Sequence, residues 1–75
     1  EAMEKGGNMP CILNAANEVV NLAFREGKCG FLQMSEVIEQ TMGTTSFITE
    51  PTYEDYVQTD KEARKIAKEL LKLFN

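Results

Sequence analysis

The most regular feature of the chain is a long apolar stretch between residues 9 and 26 that three asparagines interrupt. At about 100° per residue these asparagines fall on one narrow stripe of a helix, and apolar residues cover the rest of its circumference. A helix of this kind packs between other helices, and Asn8 and Pro10 suit its cap and its first turn. Leu13, Val20 and Phe24 are predicted to be buried, so Phe24→Ala is expected to cost about 3–5 kcal/mol. The polar stripe comprises Asn14, Asn17, Glu18, Asn21 and Arg25.

Two further helical regions follow from the same kind of pattern. Apolar residues recur at three- and four-residue spacing between Phe31 and Met42, which predicts a second helix. The last third of the chain carries another apolar face, and Thr59 followed by Glu62 matches a capping box, which favours a break there over one continuous helix. No segment alternates as a strand does. The predicted fold class is therefore all-α without a sheet, a small bundle of three to four helices at about 9–26, 32–42, 52–58 and 59–74.

The residues before the first helix have the pattern of the end of another helix. Glu1–Lys5 are too few to form a helix alone, and Gly6 or Gly7 can adopt the left-handed conformation that closes a helix C-terminus. Residues 1–7 are therefore predicted to be the stub of a preceding helix. The chain begins with Glu instead of Met, so we expect a processed product or an excised fragment.

Composition limits the chemistry that the chain can perform by itself. Its 75 residues provide one small domain with one modest core. The absence of His excludes Ser-His-Asp, Cys-His and His-zinc sites within the chain. The net charge of −4 comes without a basic cluster, which argues against nucleic-acid binding. The sequence contains neither a signal-peptide pattern nor an apolar run of spanning length, so we expect no membrane association and a cytoplasmic location.

Side chains with potential chemistry are present, but not at a catalytic spacing. Neighbouring carboxylates can bind metals, yet no pair here has a ligand spacing, so we interpret them as solvated helix faces. Cys11 and Cys29 are interpreted as free thiols of a reducing compartment. A Cys29 that is exposed in its turn, with a pKa lowered by Lys28, is the alternative to an inert loop thiol. Because neither a His partner nor a resolving cysteine accompanies Cys29, we interpret it as inert. No catalytic, cofactor-binding or metal-binding residue is assigned. The acidic pairs are Glu36 with Glu39, Glu54 with Asp55, and Asp60 with Glu62.

The segment that contains the asparagines also resembles a known family. Residues 13–18 read Leu-Asn-Ala-Ala-Asn-Glu, and an aliphatic, alanine-rich run leads from them to Ala23 and Phe24, before a glycine-containing turn and a short helix. Further on, the spacing D-x-x-A-R begins at Asp60. These features are similar to the C-terminal domain of 1-deoxy-D-xylulose 5-phosphate reductoisomerase, and the resemblance covers nearly the whole chain.

The resemblance implies a place for the chain in a larger enzyme. Members of the family use NADPH and a divalent metal such as Mg²⁺ or Mn²⁺ to make 2-C-methyl-D-erythritol 4-phosphate, in the non-mevalonate route to isoprenoids. They combine a nucleotide-binding domain, a catalytic domain that supports dimerisation and a small C-terminal helical bundle. Because the family's active-site residues lie upstream, residues 1–75 are expected to be a single, excised C-terminal domain that is inactive alone. Its implied partner is the catalytic domain, within a homodimer.

Two functions remain open. The chain could brace the catalytic domain of a reductoisomerase, or it could be an autonomous protein-interaction module that binds a partner through the polar stripe. Asn14 and Asn17 are predicted to hydrogen-bond to the backbone of a neighbouring segment, because Asn is short and carries both donors and acceptors. The candidate partners are the loop at 44–51, the glycine turn and a catalytic domain outside the chain. A stripe that simply faces water is the alternative.

Overall fold

Three helices joined by short loops make up the described part of the chain. In the computed structural model, which describes residues 6–74, α1 spans Met9–Arg25, α2 spans Phe31–Thr44 and α3 spans Tyr53–Phe74. No strand occurs within these residues. The all-α bundle of three to four helices predicted from the sequence is thereby confirmed, with three helices in the described residues. The predicted stub at Glu1–Lys5 lies outside the described residues.

The last helix is continuous, so the break predicted at Thr59 is wrong. Thr59 is buried, and its hydroxyl accepts a hydrogen bond from the Asn8 side chain at 2.9 Å instead of capping a helix. Glu62, the other half of the pattern, accepts a hydrogen bond from the backbone of the α2–α3 loop. The reciprocal capping pair lies at the true start of α3, where the Thr52 N–H donates to the Asp55 carboxylate at 2.9 Å and the Asp55 N–H donates to the Thr52 hydroxyl at 3.2 Å.

Contacts between α1 and α3 show that these two helices run in the same direction. Near their N-terminal ends the Asn8 side chain bonds to Thr59, and further along both helices Glu18 bonds to Arg64. The second helix runs the opposite way, since the loop that follows its C-terminal end meets Asn8 at the beginning of α1. Each helix contacts both of the others, and the buried apolar residues between them form two clusters.

The core is made of aliphatic and small side chains. Ala15 of α1 and Ala63 of α3 are fully shielded from solvent and belong to one cluster, which shows that the two backbones approach closely. Each fully buried Val or Ile contributes about 1.5–3 kcal/mol relative to an exposed one. Most of the buried apolar residues lie on α1, so α1 is the central helix of the bundle. The buried apolar residues of the helices are Met9, Ile12, Ala15, Ala16, Val19, Val20, Ala23, Val37, Ala63, Ala67 and Leu71.

The three positions predicted to be buried have different environments. Val20 is fully shielded, and Leu13 is half-buried against the cluster around Met9. Phe24 is 44% exposed, so the prediction that it lies in the core is wrong. Its ring instead packs edge-on against Phe31, with the ring centroids 6.3 Å apart. The buried face of α1 thus covers less of the helix circumference than its apolar residues do. Phe24 lies at the edge of the buried face.

The chain enters α1 through a turn that requires glycine. Gly6 and Gly7 have φ angles of 70° and 56°, the left-handed region that side chains with a Cβ rarely adopt, which confirms the predicted conformation. Gly7 also lies directly against the backbone carbonyl groups of Ile48 and Thr49, so a Cβ at this position would overlap them. The turn therefore supports the α2–α3 loop. Its predicted role in closing a preceding helix stays a prediction.

Candidate functional site

The polar stripe lies on the outer surface of α1. Asn14, Asn17 and Glu18 are all exposed. The Asn21 side chain donates hydrogen bonds to the backbone oxygen of Asn17 at 2.7 Å and to its Oδ1 at 3.0 Å. Within residues 6–74 the side chains of Asn14 and Asn17 make no hydrogen bond to another segment, so neither the 44–51 loop nor the glycine turn is their partner there. A partner outside the chain stays a prediction.

A shallow depression lies beside the two asparagines. It has a volume of about 360 Å³ and is lined by Pro10, Leu13, Asn14 and Asn17. Its base is apolar, because Pro10 and Leu13 are half-buried, and two carboxamides stand at its rim. A carboxamide offers two N–H donors and an acceptor oxygen, which match the groups of a peptide backbone. The depression can therefore receive a segment of another domain by apolar contact and by hydrogen bonds.

Glu18, the third residue assigned to the stripe, belongs to an ion-pair network. Arg64 of α3 donates through Nη2 to the Glu18 carboxylate at 2.6 Å and through Nε to the Asp60 carboxylate at 2.9 Å. The hydrogen bonds to Asp60 and Glu18 raise the pKa of the Arg64 guanidinium, which stays charged. All three side chains are partly exposed, and exposed pairs contribute about 0–1 kcal/mol each. The main effect of the network is to link α1 to α3 beside the stripe.

The most extensively bonded asparagine is Asn8, which the sequence pattern assigned as a helix cap. Asn8 stands at the N-cap position of α1, but its side chain makes no capping hydrogen bond. Its Nδ2 donates to the Ser46 carbonyl oxygen and to the Thr59 hydroxyl, each at 2.9 Å, and its Oδ1 accepts from the Ile48 N–H at 2.8 Å. Asn8 is fully buried. The N-terminal junction, as we name this region, comprises Gly7, Asn8, residues 46–48 and Thr59.

A signal for this junction is present in the sequence. A capping side chain accepts a hydrogen bond from the N–H of the second or third helical residue. The second residue of α1 is Pro10, which has no N–H. One of the two usual capping partners of Asn8 is therefore missing, which favours other uses of its carboxamide. The residues to which the Asn8 side chain donates, Ser46 and Thr59, lie 38 and 51 residues away along the chain. Only the tertiary fold identifies them.

The side chains with potential chemistry in the sequence were the carboxylates and the two thiols. Residues 6–74 contain no group of three or more Cys, Asp or Glu side chains that could hold a metal ion. Cys11 and Cys29 are free thiols, as predicted. Cys29 is buried, and its burial raises the pKa of the thiol, which makes it a poor nucleophile and agrees with its interpretation as an inert thiol. In this same part of the chain no helix has the length and hydropathy needed to span a bilayer.

Comparison with known proteins finds relatives across nearly the whole chain. A family model described as the DXP reductoisomerase C-terminal domain matches residues 1–66. The chain is 65% identical over 71 residues to the 1-deoxy-D-xylulose 5-phosphate reductoisomerase of Phocaeicola vulgatus and 63% identical over 71 residues to that of Bacteroides fragilis. A protein of the same name from Acetivibrio thermocellus is 43% identical over 72 residues.

The alignments differ in how much of each protein they cover. They include 95% of this chain for the first two relatives and 96% for the third, but only 18% to 19% of the relatives themselves. The chain therefore spans about a fifth of the length of the curated relatives it matches. No solved structure matches the chain.

Proposed function

The chain belongs to the family of DXP reductoisomerase C-terminal domains, and from this premise we propose that it is the non-catalytic terminal domain of such an enzyme, which it stabilises by docking against the rest of the polypeptide. The observation that carries the proposal is the match to a C-terminal domain over residues 1–66. The proposal is supported by the lack of a metal-binding group within residues 6–74.

In this proposal the longer protein is a cytoplasmic homodimer that uses NADPH and Mg²⁺ or Mn²⁺ to convert 1-deoxy-D-xylulose 5-phosphate to 2-C-methyl-D-erythritol 4-phosphate. Residues 6–74 do not fit either cofactor. They offer no acidic donor set for a divalent metal, and the turn at Gly6 and Gly7 packs against the α2–α3 loop instead of forming a phosphate-binding loop. Both groups would be held by residues outside this chain.

The polar stripe is the surface that we propose contacts the catalytic domain. Asn14 and Asn17 present carboxamide groups that bond to no other segment within residues 6–74, and they stand beside the depression formed by Pro10 and Leu13. The opposite face of α1 is fully packed in the core, so the stripe is held on a rigid support. Within residues 6–74 this surface is exposed to solvent.

The enzymatic part of the proposal is tested by comparing two polypeptides. One is the 75-residue chain, and the other is the product of the whole reading frame that encodes it. We expect NADPH consumption with 1-deoxy-D-xylulose 5-phosphate and Mg²⁺ from the longer product and none from the chain alone. A reading frame that starts close to residue 1, or turnover by the isolated chain, would contradict the proposal. The first outcome would favour the alternative, an autonomous protein-interaction module.

The docking part is tested by Asn17→Ala, with Gln58→Ala as the matched control because Gln58 is an exposed carboxamide on α3. In the 75-residue chain both substitutions should change the free energy of unfolding by no more than about 0.5 kcal/mol. In the longer protein, Asn17→Ala should destabilise this domain by about 0.5–1.5 kcal/mol for each hydrogen bond lost, while Gln58→Ala stays neutral. Equal effects of the two substitutions in the longer protein would show that the stripe faces water.

A further inference from the structure

Three large apolar side chains are exposed where α1 turns into α2. Phe31 is 73% exposed, Leu32 is 85% exposed, and Phe24, whose ring packs edge-on against Phe31, is 44% exposed. Phe31 and Leu32 are the first two residues of α2, where acidic side chains would interact favourably with the positive end of the helix dipole. The first turn of α2 nevertheless contains no acidic residue. An exposed apolar cluster at such a position indicates a surface that contacts an apolar partner.

Two carboxylates continue this surface along α2. Glu36 and Glu39 follow Leu32 at positions four and seven residues further on, so the three side chains lie on one face of the helix. Both carboxylates are exposed, and α2 contains no Lys or Arg that could pair with them. Neither forms an ion pair within residues 6–74. We name the surface formed by Phe24, Phe31, Leu32, Glu36 and Glu39 the α2 docking face.

The α2 docking face adjoins the polar stripe of α1. Asn17 and Phe24 are seven residues apart in sequence, so at about 100° per residue their directions around α1 differ by only about 20°. Phe24 in turn contacts Phe31 at the start of α2. The surface that we propose contacts the catalytic domain therefore continues from α1 onto α2, and one partner can cover both parts.

The charge of the α2 docking face argues against a second copy of the chain as its occupant. In a two-fold symmetric pair the same patch faces itself, so Glu36 and Glu39 of the two copies would lie close together. Each copy also has a net charge of −4, and like charges across an interface cost free energy. A partner that presents cationic residues beside an apolar cleft complements both the apolar and the acidic part of the face.

The α2 docking face lies far from the N-terminal junction, through which the chain enters the bundle. Met9 and Phe24 are separated by about 22 Å along α1, at about 1.5 Å per residue. A domain that were held to another domain only through the segment before Gly7 could pivot about the junction. A contact at the α2 docking face acts at the far end of this lever, so it fixes the orientation of the bundle.

We propose that the α2 docking face binds an apolar cleft in the rest of the longer polypeptide, a cleft with Lys or Arg residues at its rim. Phe31 and Leu32 enter the cleft, and the cationic residues pair with Glu36 and Glu39. This inference rests on the proposed function, which supplies the longer polypeptide. The matched region is only 18% of the Bacteroides fragilis relative, so ample chain is available to form the cleft.

Occupation of the α2 docking face is measured by thiol labelling of Leu32→Cys. Tyr53→Cys is the matched control, since Tyr53 is 81% exposed and is the first residue of α3. Fragment-ion mass spectrometry after a maleimide pulse assigns each label to its position, which separates the new thiol from Cys11 and Cys29. In the 75-residue chain both introduced thiols should react at similar rates. In the longer polypeptide the thiol at position 32 should react at least tenfold more slowly, while the thiol at position 53 is unchanged.

Three results of this labelling would overturn the proposal. The first is an equal rate at position 32 in the chain and in the longer polypeptide, which would show a face open to solvent. The second is equal protection of position 53, which would show shielding that is not specific to the face. The third is protection in the isolated chain that grows with protein concentration, which would identify a second copy as the occupant. NADPH consumption is measured on the same samples, so an active longer protein with an unprotected position 32 contradicts the docking assignment and leaves the proposed function standing.

The cationic character of the cleft is tested by charge reversal in the longer polypeptide that carries Leu32→Cys. Glu36→Lys with Glu39→Lys should raise the labelling rate at position 32 to that of the isolated chain with the same substitutions. The control is Glu54→Lys with Glu69→Lys, which makes the same charge change at two exposed positions of α3 and should leave protection intact.

The buried thiol of Cys29 reports unfolding in the same samples, and its labelling should stay slow in every variant. Protection of position 32 that survives reversal at positions 36 and 39 would overturn the assignment of cationic residues to the cleft. Protection that both pairs of substitutions abolish equally would overturn it as well.

Discussion

The two ends of α1 reverse the usual relation between polarity and burial. At the N-terminal junction Asn8 is fully buried and bonded to two other parts of the chain, whereas at the opposite end Phe24 is 44% exposed beside Phe31, which is 73% exposed. The junction is covered by the α2–α3 loop. At the opposite end, which we name the hairpin end, α1 turns into α2, and Ala23 and Cys29 share a buried cluster with Leu71 of α3. The hairpin end comprises Phe24, residues 26–30, Phe31 and Leu32.

This difference shows that a position in the bundle decides burial, while the residue type decides what the burial costs. A buried carboxamide costs free energy unless its donors and acceptor are paired. At the junction they are paired, and within the described residues no buried side-chain nitrogen or oxygen lacks a partner. Exposed Phe rings at the hairpin end carry no such requirement, because they have no donor or acceptor to pair and apolar atoms make up much of any protein surface.

The largest effect is expected from Gly7→Ala at the junction. A Cβ at this left-handed residue costs about 1–2 kcal/mol, and its overlap with the backbone of Ile48 adds about 1–3 kcal/mol of overpacking. Urea unfolding should therefore report a loss of about 2–5 kcal/mol. Gly6→Ala is the control, because Gly6 shares the positive φ but has open space around it. Equal losses at the two glycines would show that the loop does not press on the turn.

The next largest effect is expected from Asn8→Ala. The substitution removes three side-chain hydrogen bonds and leaves the partner groups of Ser46, Ile48 and Thr59 unpaired. At about 0.5–1.5 kcal/mol each, their loss should lower the free energy of unfolding by about 1.5–4.5 kcal/mol. Asn14→Ala, at an exposed helical position, should be neutral or stabilising by up to about 0.7 kcal/mol, since Ala is the better helix former. Similar urea midpoints for the two variants would contradict the distinction between buried and exposed asparagines.

The contrast between the two asparagines also marks what could be predicted from the sequence. The helices could be predicted, because apolar periodicity is local, and the first two agree with the structure within two residues at each end. The partners of Asn8 could not, because they lie on two other parts of the chain that only the fold brings together. The same hydrogen bonds explain the wrong break at Thr59, where a buried hydroxyl within α3 has the sequence signature of a cap.

The candidate site also has one part that could be predicted from the sequence and one part that could not. The stripe itself could be predicted, since its spacing places Asn14, Asn17 and Glu18 on one face of α1. The ion pair between Glu18 and Arg64 joins residues 46 positions apart, so it required the fold. The parallel direction of α1 and α3 could not be predicted either, because the two helices are not adjacent along the chain.

At the hairpin end a smaller effect is expected from Phe24→Ala. A fully buried Phe contributes about 1.5–3 kcal/mol, and Phe24 is only partly covered, so the loss should be about 1–2 kcal/mol, below the 3–5 kcal/mol expected for a core position. The edge-on contact with Phe31 should appear as a coupling of about 0.5–1.5 kcal/mol in a double-mutant cycle with Phe31→Ala. A loss larger than that of Asn8→Ala would overturn the comparison between the two ends.

The smallest effect is a pH dependence at the hairpin end, where Cys29 is buried and its thiol donates to the Gly30 carbonyl oxygen at 3.3 Å. Burial raises the pKa of Cys29 in the folded state, so on raising the pH the unfolded chain loses this proton first. The contribution of the thiol is therefore fully present below its ordinary pKa of about 8.5 and declines as the pH rises through the raised value. Urea midpoints of the parent and of Cys29→Ala, measured between about pH 7 and pH 9.5, isolate this contribution, because Cys11, the tyrosines and the lysines are common to both. The difference in urea midpoint between the two proteins should be constant near neutral pH. Above the ordinary thiol pKa, the midpoint of the parent should fall relative to that of Cys29→Ala. If the difference in urea midpoint stayed constant over the whole pH range, Cys29 would be accessible to solvent. The hairpin end would then contain no buried titratable thiol.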